Sequence, residues 1–204
     1  MLDILWKRGT DFLGSKTAIL VGAMTWVSDH RLVSAVSDAS AFGILASGSM
    51  TPDLLDQEIK KITTKNPFGV NIILMSPYLN DLIEVCASNN ISHIFLAGGI
   101  PKIDQIKLIQ SKGAKAIGFT PTLGIGKKLV KMGIDALMIE GSEAGGHIGP
   151  VSTTVLAQEI LPHIKEVPVF VAGGIGRGET IVSYLKMGAS GCQLGTRFAC
   201  IKES

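Results

Sequence analysis

Short runs of apolar, β-favouring residues recur at 18–22, 43–47, 69–74, 93–97, 115–119, 135–139, 168–172 and 190–194, each start 20 to 33 residues after the last. That interval is one strand plus one crossover helix, because parallel neighbours need a connection of a dozen or more residues. The runs read as strands buried on both faces. Between them lie segments of helical spacing. Leu54, Leu55, Ile59 and Ile62 share a face behind Thr51 as N-cap and Pro52 at the first helical position. Ile103, Ile106 and Ile109 follow Pro101 in the same way. A weak repeat marks three junctions: Lys112-Gly113, Lys131-Met132-Gly133 and Lys186-Met187-Gly188 each set a basic residue at a helix end and a glycine at the left-handed C′ position before the next strand.

Eight strands alternating with helices leave two architectures, a (β/α)8 barrel or a doubly wound sheet. The strand count favours the barrel, as do glycine-rich segments after several strands rather than after the first alone. The chain, 1–204, is read as a single barrel domain. Such barrels usually run to about 250 residues, whereas only eight residues follow Thr196. The expectation is therefore an α/β TIM barrel shortened at its C-terminus, without its last helix and extension. The outer faces of strands eight and one would be partly exposed, to be covered by a partner chain or a homo-oligomer. Trp6 and Trp26 are expected in the core or on the lower barrel surface.

Composition narrows the function classes. Hydrophobic residues make up 46% and charged residues 18%, too apolar for disorder. The longest uncharged stretch, 85–101, carries Ser, Asn, His and Gly throughout, so it is no membrane span. With no signal-like N-terminus, the chain is expected in the cytoplasm. A net charge of +2 and 5% aromatics argue against nucleic-acid binding. Cys86, Cys192 and Cys200 form no C-x-x-C pair, which argues against a disulfide frame or a metal site. The partner that remains is a small molecule.

Three segments carry chemistry, all after predicted strands, where barrels of this type build their active sites. After strand six comes Glu140-Gly141-Ser142-Glu143-Ala144-Gly145-Gly146-His147-Ile148-Gly149. Gly145 and Gly146 let backbone amides approach a ligand closely, and His147 beside them can exchange protons near neutral pH. After strand seven comes Ala172-Gly173-Gly174-Ile175-Gly176-Arg177-Gly178, and after strand eight Gln193-Leu194-Gly195-Thr196-Arg197. Loops seven and eight of such barrels commonly cradle a phosphate, and glycine amides with the Thr196 hydroxyl suit a dianion. Gly22-Ala23-Met24 ends strand one, and Asn71 in strand three offers an amide to the mouth. A phosphosugar isomerase or lyase would use the same cradle, with Glu140 as the one carboxylate placed to serve as its base.

These segments resemble the FMN-dependent nitronate monooxygenase family, formerly 2-nitropropane dioxygenases, which includes a flavin-dependent enoyl-ACP reductase. The likeness runs along the whole chain, with Glu143-Ala144-Gly145-Gly146-His147 its most specific block. It implies an oxidoreductase holding FMN without a metal. The phosphate would lie at Gly173, Gly174, Gly195 and Thr196, and Gln193 and Leu194 would also bind the cofactor. Gly22, Ala23, Met24, Asn71, Glu140, Gly145 and Gly146 would lie along the ring and ribityl chain, and His147 would be the acid–base group. The first expectation is oxidation of alkyl nitronates with O2. The alternatives are NAD(P)H-dependent reduction of an enoyl thioester, or an inactive, truncated flavin-binding fragment. Glu140 with Ile148-Gly149 leans toward the reductase branch.

Overall fold

A computed structural model describes residues 2–146 and 149–204. The chain opens with two short helices, α1 (Leu2–Leu5) and α2 (Lys7–Leu13), and then alternates strand and helix. The strands are β1 (Ile19–Val21), β2 (Gly43–Ala46), β3 (Phe68–Ile73), β4 (His93–Ala97), β5 (Lys115–Thr120), β6 (Ala136–Glu140), β7 (Val169–Ala172) and β8 (Gly191–Leu194). Between them run α3 (His30–Asp38), α4 (Pro52–Lys61), α5 (Leu79–Ser88), α6 (Ile103–Ser111), α7 (Leu123–Lys131), α8 (Thr153–Ile160) and α9 (Gly178–Lys186). The four-residue α10 (Thr196–Ala199) follows β8.

All strand pairs are parallel, in the order β1-β8-β7-β6-β5-β4-β3-β2. The ring closes through the residue before β2: Val21 N donates to Phe42 O at 3.0 Å and Phe42 N to Ile19 O at 2.8 Å. This is the eight-stranded barrel that the spacing predicts. Alternation along each strand splits the apolar residues into two layers. Leu20, Phe42, Ile44, Phe95, Ile117, Met138 and Phe170 fill the interior. Leu45, Val70, Ile72, Ile94, Leu96, Leu137, Ile139, Val171 and Cys192 face outward onto the helices.

The helices begin and end largely as their residues dictate. Thr51 Oγ1 accepts from Leu54 N, and Asp29 caps α3 by accepting from Arg31 N and Leu32 N. Gly113, Gly133 and Gly188 take left-handed φ values of 83°, 88° and 107°, as the repeat requires. The predicted faces are one residue too wide: Leu55, Ile59, Ile106 and Ile109 are buried, but Leu54 and Ile103 near the helix starts are exposed.

Two expectations need adjustment. The outer faces of β1 and β8 are partly exposed, with Ile19 and Leu194 half-buried, but Val21 and Cys192 are fully buried by cover from the chain itself. Leu32 and Val36 of α3 share a cluster with Val21, while Trp6 and Leu5 join the layer containing Ala18, Ile19, Ala189 and Cys192. α2 is fixed there by Arg8, which donates to Lys165 O at 2.8 Å. The other correction is Trp26, which packs in no core: it is 85% exposed in the loop after β1, whereas Trp6 is 8% exposed.

α2 also plugs the barrel floor. Leu13 belongs to the interior cluster, and the Phe12 ring meets His93 edge-on at 5.2 Å and Phe170 at 6.0 Å. The Phe12 carbonyl accepts from both His93 Nε2 and Lys115 Nζ. Because a carbonyl only accepts, His93 carries its proton on Nε2 and takes a hydrogen bond from Ser92 at Nδ1. With the floor sealed, the opposite mouth is where ligands can enter.

Candidate active site

The mouth is built by the last inward-facing residue of each strand and the loop after it. Glu140, Ala172 and Gln193 lie in one register row across β6, β7 and β8, so two long polar side chains flank a small one. Gly22 N donates to Leu194 O at 2.8 Å. A Cβ on Gly22 would stand 3.6 Å from Gly195 Cα and 3.7 Å from Gln193 Nε2, and one on Gly195 would stand 3.7 Å from Met24 Sδ. Gly22, Met24, Gln193 and Gly195 therefore meet at the β1/β8 seam, with Ala23 on the same loop. Leu194 adds its carbonyl there, while its side chain packs into the outer layer.

The loop after β1 is tightly held. Ser28 Oγ accepts from Met24 N at 3.0 Å and donates to Gly22 O at 2.7 Å, and Val27 N and Ser28 N both donate to Met24 O. Ser28 is a positioning residue that the sequence reading missed; serine four residues after a strand-end methionine is a common turn closer with no ligand signature.

The loops after β6, β7 and β8 are linked in series. Glu143 Oε2 accepts from Thr153 N at 2.7 Å and Thr153 Oγ1 at 2.8 Å, capping α8 with a residue ten positions earlier. Those bonds hold the Glu143 carboxyl below its usual range. Gly173, at φ 104°, lets β7 turn against this loop: a Cβ there would lie 2.8 Å from Ala144 N and 3.0 Å from Thr153 Oγ1. Arg197 Nε donates to Gly176 O at 2.8 Å and ties the loop after β8 to the loop after β7. Arg177, weighed as a phosphate partner from sequence, is exposed and pairs with Glu179 at 3.2 Å.

The donor set matches an anion. Gly174, Gly176, Arg177 and Gly178 are exposed around the start of the nine-residue α9, and Gly195 is half-buried next to exposed Thr196. The N-cap side chain, Arg177, does not cap α9, and the acidic Glu179 sits in its first turn. Two guanidiniums, Arg177 and Arg197, stand on these loops. Nothing within 4 Å would meet a Cβ on Gly145, Gly146, Gly176 or Gly178, which leaves the backbone open to a ligand's approach.

Beside this cradle lies an apolar pocket of about 200 Å³, lined by Ala97, Gly98, Ile100, Phe119, Ile125 and Glu140 among others. Burial pushes the Glu140 carboxyl up to about 7. Asn71 lies deeper: it is 5% exposed, and its Nδ2 donates to Phe95 O at 3.1 Å across to β4. The amide group is thus already used within the barrel wall. Ser47 Oγ donates to Asn71 O, so this residue also fixes the end of β2. His147 and Ile148 lie outside the described residues. Gly145 and Gly146, just before them, are exposed at the mouth.

Fold and mouth together define a (β/α)8 barrel of the enzyme type, with its polar and glycine-rich loops gathered at the C-terminal ends of β6, β7, β8 and β1. The chain belongs to the nitronate monooxygenase family, whose model matches residues 7–125 and 83–204. It is 36% identical over 202 residues to a (3aS,4S,5R,7aS)-5-hydroxy-7a-methyl-1-oxo-octahydro-1H-indene-4-carboxyl-CoA dehydrogenase of Mycobacterium tuberculosis, covering 96% of this chain and 56% of that protein. FabK from Thermotoga maritima superposes with a TM-score of 0.92 at 38% identity, over 97% of this chain and 63% of that one. Nitroalkane oxidase from Streptomyces ansochromogenes superposes at 0.88 and 26% identity, over 96% and 69%. The chain therefore spans little more than half the length of the curated relative. Among the described residues no helix is long and apolar enough to cross a membrane.

Proposed function

We propose that the chain is the FMN-binding barrel of an oxidoreductase, taken as one domain over 1–204, with the flavin lying across the mouth from β7/β8 toward β6. The observation that carries this reading is the open donor set on the loops after β7 and β8, tied together by Arg197, with an apolar pocket at the same mouth. Amides at Gly173, Gly174, Gly195 and Thr196 would hold the phosphate, with Arg197, which bridges the two loops, as the nearby cation. Gly22, Ala23, Met24, Gln193 and Leu194 would hold one edge of the group by backbone contact, and Gly145 with Gly146 the other. Asn71 and Glu140 would bound it from the barrel side. Bound FMN supplies hydride or single-electron exchange with the substrate. The apolar pocket would take the substrate, Glu140 would hold a proton near neutral pH at its wall, and His147 would move the substrate proton.

The resemblance favours nitronate oxidation, with a carbonyl compound and nitrite as products and O2 as electron acceptor. A second reading, a neutral acyl thioester as substrate, is favoured by a specific observation. The described residues lining the pocket include no cation to balance a nitronate anion, and burial keeps the Glu140 carboxyl protonated toward neutral pH. The name of the Mycobacterium relative points the same way, because it acts on a carboxyl-CoA.

Titration with FMN, followed by quenching of flavin fluorescence, tests the cofactor. A saturable 1:1 endpoint is expected, and absence of binding overturns the reading. His147→Ala should keep FMN and lose about 10²–10⁴ in turnover; unchanged turnover removes His147 from proton transfer. Oxygen uptake with propionate-3-nitronate, set against NADH oxidation with crotonyl-thioester, separates the two substrates.

A further inference from the structure

The loop between β6 and α8 is closed at its base and open at its tip. At the base, Ser142 N donates to Val151 O at 2.9 Å and Ala144 N to Gly141 O at 3.1 Å. A Cβ on Gly141 would stand 2.3 Å from Thr153 N, and one on Gly149 would stand 2.9 Å from Glu140 O. The two arms of the loop are thus pressed together with no room for a side chain between them. At the tip, no described residue lies within 4 Å of where a Cβ on Gly145 or Gly146 would stand.

Glu143 sits where base, tip and the loop after β7 meet. Its bonds from the Thr153 amide and the Thr153 hydroxyl end on the same oxygen, Oε2. Thr153, the first residue of α8, is 1% exposed, and its hydroxyl also lies 3.4 Å from the carbonyl of Ala172 at the end of β7. From the other side, a Cβ on Gly174, at φ 68°, would stand 3.1 Å from Glu143 Cβ and 3.3 Å from its Cγ. The stem of this side chain therefore supports the loop after β7, while its head grips α8.

Charge does not account for a carboxylate at this position. Among the described residues no cation forms an ion pair with it, and a negative group beside a loop that takes a phosphate repels the ligand. The amide end of α8 offsets that charge. What the residue supplies is an acceptor oxygen at a fixed reach.

We propose that Glu143 is a positioning residue, which sets the glycine pair Gly145–Gly146, just before His147, against the phosphate loop at Gly173–Gly174. The assignment rests on the reading that FMN occupies this mouth.

Two variants separate grip from charge. Glu143→Gln removes the charge and keeps an acceptor oxygen for both Thr153 donors, whereas Glu143→Ala removes both. In the full chain, hydrogen–deuterium exchange read by mass spectrometry should be about tenfold faster across 142–146 in Glu143→Ala than in the parent. It should be unchanged there in Glu143→Gln, and unchanged in the barrel strands of both. FMN should bind Glu143→Ala about tenfold more weakly than Glu143→Gln. Riboflavin, which lacks the phosphate, should bind the two variants equally, a contrast that a general loss of stability does not produce. Equal exchange in Glu143→Ala and the parent overturns the proposal. So does a Glu143→Gln that behaves like Glu143→Ala, which would make the charge the active element. An equal loss for FMN and riboflavin overturns it too, since Glu143 would then be a helix cap and nothing more. If the parent binds no FMN, the cofactor reading fails by itself, and the exchange comparison alone decides the proposal.

Discussion

At His93 and Glu140 burial pulls two titrations in opposite directions. His93 is held neutral between Ser92 and the Phe12 carbonyl, and burial lowers its pKa to about 4. The unfolded chain takes up that proton near 6.5, so this residue makes the fold less stable as pH falls from 6.5 toward 4, by about 1.4 kcal/mol per unit. Glu140 works the other way. Burial lifts its pKa from 4.5 to about 7, so its contribution is present below 4.5 and is lost as pH rises through 7. Between 4.5 and 6.5 the two slopes nearly cancel. Denaturant titrations should therefore find Glu140→Gln more stable than the parent at pH 8, by about 2–3 kcal/mol from the same linkage. In that variant stability should rise from pH 4.5 to 6.5, where the parent is nearly flat. A flat profile in Glu140→Gln would mean that His93 does not titrate as its burial requires. Cys86 and Cys192, whose thiols burial pushes up to about 12 each, should react slowly with alkylating reagents at neutral pH, whereas exposed Cys200 should react readily.

At the scale of elements, two tethers hold pieces that propensity alone would leave loose. α2 has seven residues, too short to persist by itself, and it docks because Gly9 presents bare backbone to the start of β8. A Cβ on Gly9 would stand 1.9 Å from Ser190 O. Gly9→Ala should force the helix away and cost about 1–3 kcal/mol, the range for overpacking; an unchanged denaturation midpoint would show that α2 is not packed there. The second tether is the Arg197–Gly176 hydrogen bond between the loops after β8 and β7. Arg197→Ala should weaken FMN binding about tenfold or more, since hydrogen bonds to charged groups contribute roughly 1.5–3 kcal/mol. Far-UV circular dichroism should stay the same. Equal FMN affinity in the variant would place the phosphate elsewhere.

For the whole molecule, the covering of β1 and β8 decides whether the ring is a closed unit. Trp6 is buried in that layer, and Trp6→Ala should cost about 3–5 kcal/mol, the usual range for a buried tryptophan. A thermal melt reads this directly, and a shift of less than a few degrees would show that the cover is dispensable. The barrel itself was legible in the chain. Eight two-sided apolar strands at one crossover spacing, with glycines at Gly113, Gly133 and Gly188 ending helices, admit few other solutions, because strand burial and helix termination are local properties. Membership of the glycine loops in one mouth was legible too, since every βα loop of a barrel emerges at the same end. What the local pattern could not reveal depends on contacts between distant residues. Arg8 reaching Lys165 and Trp6 joining the layer around Cys192 cover an edge that the chain's order alone leaves open. Asn71 turns its amide to Phe95, and Glu143 caps a helix ten residues on, because partners of those groups are brought near only by the closed sheet. Trp26 is the sharpest case: its composition says core, but the Ser28 hydrogen bonds fix its backbone at positive φ and point the indole into water. The eight-fold strand–helix alternation, and the gathering of the glycine-rich loops at one end of the barrel, follow from the order of residues along the chain. The tertiary structure alone decided which polar groups there are already bonded and which stand open, because hydrogen bonds between loops are settled only when the ring has closed.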